Sequence, residues 1–172
     1  MRNPIAKQII PRIVLGLSCL ALSACVFEAP VFKGGWQKFD ANLAGVWTTT
    51  SGDEKPENAI VVRDGPDRAI INYPAGEKGW YFGARTVRLR DRLLMQLEIL
   101  AQPDGKQPGS KAETFTLIWL ETQPDGAMQV RALDSSAISK QKLTGQDLRK
   151  LLADPDFDWN KVFGSPTVFR KK

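Results

Sequence analysis

The chain runs to 172 residues, enough for one domain with a sizeable core, and sets 24 Lys and Arg against 19 Asp and Glu, a formal balance of +5. It contains no histidine. That absence removes the usual general base, the commonest metal ligand and every Ser-His or Cys-His nucleophile pair, so we expect no enzymatic activity, no metal and no cofactor.

The first 24 residues hold Arg2, Lys7 and Arg12 and no acidic residue, and from Ile13 to Ala24 they are almost wholly apolar or small. A positive start, a short apolar core and small residues before a break form the pattern of a cleaved secretory signal. The run falls short of the roughly 20 apolar residues that a membrane-spanning helix needs. Leu22-Ser23-Ala24-Cys25 then resembles the lipobox of bacterial lipoproteins, in which a cysteine after a small residue is acylated and becomes the new N-terminus. The resemblance implies a signal peptide over residues 1–24, a covalent lipid on Cys25 (a diacylglyceryl thioether plus an N-acyl chain such as palmitate) and attachment to a membrane through that lipid. Val26, where an Asp would signal retention, implies an outer-membrane lipoprotein facing the periplasm, by analogy with Gram-negative lipoproteins.

Loss of the signal leaves 148 residues with 21 basic and 19 acidic side chains, so no polyanion-steering field is expected, and no nucleic-acid partner. The one thiol left carries lipid in this reading, which excludes a disulfide. Residues 25–42, with Pro30, Gly34 and Gly35, read as a lipidated tether. Residues 43–172 read as a single β-rich domain with a C-terminal helical segment.

Strands are expected at Leu43–Thr50, Ala59–Arg63, Ala69–Tyr73, Trp80–Leu89, Leu93–Leu100, Thr114–Thr122 and Met128–Leu133, with a last short one at Thr167–Phe169. Asp64-Gly65-Pro66-Asp67 and two copies of Gln-Pro-Asp-Gly, at 102–105 and 123–126, should reverse the chain, because Pro presets the first turn residue and Gly accepts positive φ. Leu93, Met95, Leu97 and Ile99 alternate with polar neighbours, as do Met128, Val130 and Ala132. Phe115–Leu120 is apolar on both faces and should be covered on both. Thr144 caps a helix through Leu148, Leu151 and Leu152 that Pro155 ends. The fold class is therefore mainly β, an antiparallel meander forming a small barrel or sandwich, with a C-terminal helix.

Gly45-Val46-Trp47 resembles the Gly-x-Trp that opens the first strand of lipocalin barrels, which implies that Trp47 plugs a closed barrel end and contributes to a ligand cup. Arg85 is the other candidate ligand-binding residue. A three-residue turn pairing Leu89 with Leu93 turns Arg85 into the core, ready for a ligand carboxylate or phosphate, whereas pairing Arg88 with Leu93 puts Phe82 and Ala84 inside instead. Asp154, Asp156, Asp158 and Asn160 alternate like calcium ligands, but Trp159 and Ser165 stand where such a loop needs Gly and Glu. Ser139-Lys140 and the acidic pairs have no spacing that marks catalysis. Trp36, Trp80 and Trp119 read as core rather than as a contact patch. The expectation is thus a non-catalytic, lipid-anchored protein that binds an envelope protein or other envelope component. The alternative is a lipocalin-like carrier of a small apolar ligand, which requires a hollow interior of roughly 300 Å³ or more.

Overall fold

Period-two alternation becomes eight antiparallel strands in a computed structural model of the chain, which describes residues 27–50, 55–109 and 112–172. They are β1 (Gly45–Thr49), β2 (Asn58–Arg63), β3 (Ala69–Tyr73), β4 (Trp80–Leu89), β5 (Arg92–Ala101), β6 (Phe115–Thr122), β7 (Met128–Ala132) and β8 (Thr167–Lys171). Each pairs with the next, and Thr48 of β1 pairs with Arg170 of β8, which closes the barrel and leaves no sheet edge. Both Gln-Pro-Asp-Gly segments are tight turns closed by the glycine N–H on the glutamine carbonyl, at 2.8 and 2.9 Å, with the glycines at φ 76° and 80°.

The hairpin of β4 and β5 turns on Arg90 and Asp91 alone, with Arg90 in the left-handed region at φ 59°. Arg88 therefore faces Leu93, and Phe82 and Ala84 share the inner face with Leu97 and Met95. The barrel separates two cores. Inside lie Trp47, Ala59, Ala69, Ala84, Met95, Leu120 and Met128. Outside, Val87, Leu94, Leu117 and Trp119 form the floor of a second apolar layer. β6 thus serves both cores, as its two-sided apolar run requires.

Two helices between β7 and β8 cover this outer wall. α1 (Ser135–Gln141) starts at Asp134, whose carboxylate accepts from the Ser136 and Ala137 N–H groups. α2 (Gly145–Ala153) starts at Thr144 with a complete capping box to Asp147 and lays Leu148 and Leu152 on the wall. A 3-10 turn at Trp159–Lys161 adds the fully buried Trp159, stacked on Phe163 and edge-on to Trp119. Each such buried apolar side chain contributes roughly 1.5–3 kcal/mol.

The segment before β1 is packed along the wall, which corrects the tether reading. Phe27, Val31, Phe32 and Phe39 are buried, and the chain bonds to the wall at Phe27–Phe115, Phe32–Gln96, Trp36–Val87 and Gln37–Thr86. Its apolar residues have a surface to cover that a free linker would leave in water. The domain accordingly begins by Phe27 rather than at residue 43. The signal segment and Cys25 lie outside the described residues.

Candidate functional site

Barrel closure fixes two ends. At one, the starts of β1, β3, β5 and β7 meet the ends of β2, β4, β6 and β8, and a 3-10 turn at Ala41–Leu43 crosses beneath. Leu43 and Trp47 are buried there; the indole N–H of Trp47 donates to the Leu43 carbonyl at 2.9 Å. The Lys171 ammonium lies 5.8 Å from the Trp47 ring centre and donates to the Asn42 carbonyl at 3.0 Å. Apolar bulk and a satisfied indole close this base.

The other end is open. Above Trp47 the interior is a cavity of about 1080 Å³. An eight-stranded barrel is just wide enough to be filled by its own side chains or to hold one small ligand. Small inner residues decide the matter here: Ala59, Val61, Val130 and Ala132 leave space that Leu or Phe would fill. The deep wall is Trp47, Phe82, Met95, Leu97, Ile118, Leu120 and Met128, with no charged side chain among the lining residues below the rim. Thr116 is the polar exception, and among the described residues its buried Oγ1 has no hydrogen-bond partner.

Polar groups gather at the rim. The Tyr73 hydroxyl donates to Glu57 Oε2 at 2.6 Å, and the Tyr73 ring meets Phe169 edge-on at 6.0 Å. Lys55, Asp134, Ser135 and Ser165 complete the opening. The Asp134 carboxyl is held below the usual carboxylate range, chiefly by the Ser136 hydroxyl and then by the Ala137 N–H, so it stays ionised as the α1 cap. This is the layout of a hole that takes apolar matter within and offers hydrogen bonds at its mouth.

Of the two candidate ligand residues, Trp47 lines the cavity at its base. Arg85 does not. The observed register turns it outward, where it sits 3.7 Å from Asp67 and 5.5 Å from the Trp36 ring centre. The interior-arginine expectation is corrected by the two-residue turn, which avoids burying an unpaired cation in an apolar cup. Asp154 and Asp158 are spent on their own turns, accepting from the Asp156 and Asn160 N–H groups. Trp119 belongs to the outer core, where it and Trp159 both contact the Arg92 guanidinium, at 4.5 and 4.6 Å from their ring centres. The rim residues Glu57, Tyr73 and Ser165 escaped the sequence reading. The alternation of Ala69, Ile71 and Tyr73 was their one signal, since it sends Tyr73 inward at a strand end.

Among the described residues no helix is long and apolar enough to cross a membrane. The fold and cavity thus define a closed antiparallel β-barrel with one open, apolar cup. Comparison with known protein families, with characterised proteins and with solved structures finds no match.

Proposed function

We propose that this protein is a lipid-anchored, non-catalytic carrier that holds a small apolar ligand in its barrel. The observation that carries the reading is the apolar cavity of about 1080 Å³ opening at one end, well above the roughly 300 Å³ that such a role needs. Burying apolar surface at about 25 cal/mol per Å² drives a ligand into such a lining, while Tyr73, Glu57 and Ser165 meet a polar head at the rim. The Gly45-Val46-Trp47 opening, with Trp47 at the closed end, supports a lipocalin-like cup. The lipobox-like Leu22–Cys25 supports acylation of Cys25 and an outer-membrane location facing the periplasm; two or more acyl chains make the attachment stable where one is marginal.

Two experiments test it. Native mass spectrometry of the detergent-extracted protein should show one bound small amphiphile per chain; a ligand-free spectrum, with no displacement of an apolar fluorophore by added lipid, would end the carrier reading. Cys25→Ser should leave an unacylated protein that no longer sediments with membranes, and unchanged sedimentation would end the anchor reading.

A second reading, docking of an envelope protein, is favoured by one observation. Val46, Ile60 and Val62 project from the outer face of β1 and β2, away from the helices, at 37, 37 and 55 % exposure. Exposed apolar patches mark contact sites. Val62→Lys together with Ile60→Lys should then abolish cross-linking to an envelope partner in whole cells while ligand binding persists.

A further inference from the structure

The wall-bound N-terminal segment has a direction. Phe27 bridges to Phe115, the first residue of β6, whose neighbour Thr116 lines the cavity toward its mouth. From there the chain passes Gln96 and Val87 and reaches Pro66, in the turn between β2 and β3 at the closed base. The segment thus starts at the mouth end and finishes at the base. Hydrogen bonds hold its start: the Phe27 carbonyl accepts from Thr114 and Phe115 N–H at 3.1 and 3.0 Å, and Phe27 N–H donates to Phe115 at 3.3 Å.

An extended chain spans at most about 3.6 Å per residue, so two residues of chain reach no farther than about 7 Å from Phe27. β6, whose first residue pairs with Phe27, runs eight residues to the base, which at its tilt lies about 18 Å away. The hydrocarbon therefore attaches beside the mouth, with no slack to reach the base. Tyr81, 41 % exposed, and Trp80 begin β4 at that same end, the side-chain types that settle at a membrane–water interface.

From this juxtaposition, and resting on the anchored-carrier reading, we infer that the cavity mouth is held against the phospholipid leaflet, so that ligand passes directly between bilayer and barrel. The leaflet is the partner of the mouth face, and the anchor sets the docking angle as well as the location.

The test uses the full chain, acylated in a bacterial membrane, purified and reconstituted into phosphatidylethanolamine–phosphatidylglycerol vesicles carrying nitroxide-headgroup lipid. Glu77→Cys and Asp104→Cys place fluorophores about a quarter of the way round the rim from each other, in the β3–β4 and β5–β6 turns, and Asp91→Cys places one at the base. Quenching should be severalfold stronger at both rim positions than at Asp91. Equal quenching at the base, or quenching at Asp104 without Glu77 (a barrel lying on its side), overturns the inference. A flexible insertion of about 20 residues between Val26 and Phe27 supplies slack of several nanometres. It should erase the difference in quenching and slow transfer of a fluorescent apolar probe from the vesicle severalfold, and unchanged transfer overturns the inference. Failure to float with vesicles, or failure of every variant to bind the probe in detergent, sinks the anchor or the carrier reading separately from the orientation.

Discussion

The side chain of Gln96 and the backbone of Phe32 exchange two hydrogen bonds across the barrel wall: Phe32 N–H donates to Gln96 Oε1 at 2.8 Å, and Gln96 Nε2 donates to the Phe32 carbonyl at 3.3 Å. Both residues are buried. A side-chain amide thus does for the N-terminal segment what a neighbouring strand would do, satisfying a donor and an acceptor that water cannot reach. Gln96→Leu keeps the volume and strands both backbone groups at about 1–3 kcal/mol each. We expect a fall of about 2–6 kcal/mol in unfolding free energy by urea titration, with faster tryptic cleavage at Lys33. An unchanged midpoint would mean that Phe27 and Val31 hold the segment unaided.

Arg92 supports the outer layer in a different way. Its guanidinium packs against both the Trp119 and Trp159 rings where they meet edge-on, and its buried Nη1 has no hydrogen-bond partner among the described residues. Stacking on two indoles, each worth about 0.5–2 kcal/mol, is what offsets that loss. Arg92→Ala should therefore destabilise by about 1–3 kcal/mol, whereas Arg92→Met, which keeps an apolar stem against both rings and removes the unpaired donor, should cost less than half as much. Thermal melts of the two variants separate the accounts; equal losses would show that the charge rather than the contact is what matters.

Strand positions were legible because each strand carries its own alternation and its own turn chemistry: Asp64–Asp67 and both Gln-Pro-Asp-Gly turns fall where expected. The capping box of α2 was legible for the same local reason. α1 was not. It has seven residues and buries only Ile138, so no apolar period exists to read, and its signal is confined to the Asp134-Ser135-Ser136 cap. The N-terminal segment was misread because Pro30, Gly34 and Gly35 suggest a linker, while its partners Gln96, Val87 and Phe115 lie some 50 to 90 residues along the chain. Arg85 turned on a register that one residue of turn length decides. The cavity depends on the summed volume of side chains from all eight strands, a quantity with no local mark.

Acid should unfasten the helices first. The Asp134 and Asp147 carboxyls are both held below the usual value, Asp134 chiefly by the Ser136 hydroxyl and Asp147 chiefly by the Thr144 hydroxyl. A lowered folded-state pKa gives stability that is present above the unfolded value near 3.9 and is lost as pH falls through the folded one. Far-ultraviolet circular dichroism should lose helical signal below about pH 4, and less steeply in Asp134→Asn, whose side-chain oxygen still caps α1 but no longer titrates. With no histidine in the chain, the stability curve between about pH 5 and 8 should be flat. A transition inside that window would place a strongly shifted group somewhere in the molecule.

Filling the barrel separates holding a ligand from holding the fold. Ile118 sits mid-strand on the inner face, paired with Met95 and Ala132, and lines the cavity. Replacing it by Trp pushes an indole into empty space rather than into packed neighbours, so the usual overpacking cost of about 1–3 kcal/mol should not appear. The cavity shrinks, and a probe that needs its depth loses contacts. Ile118→Trp should thus weaken binding of an apolar fluorophore at least tenfold, about 1.4 kcal/mol, while leaving the melting temperature level or raised. Val62→Trp adds the same indole to the outer face and should leave affinity as it was. If the two variants bind alike, the ligand sits somewhere other than inside the barrel; if Ile118→Trp unfolds, the interior is tighter than a hole of this size allows.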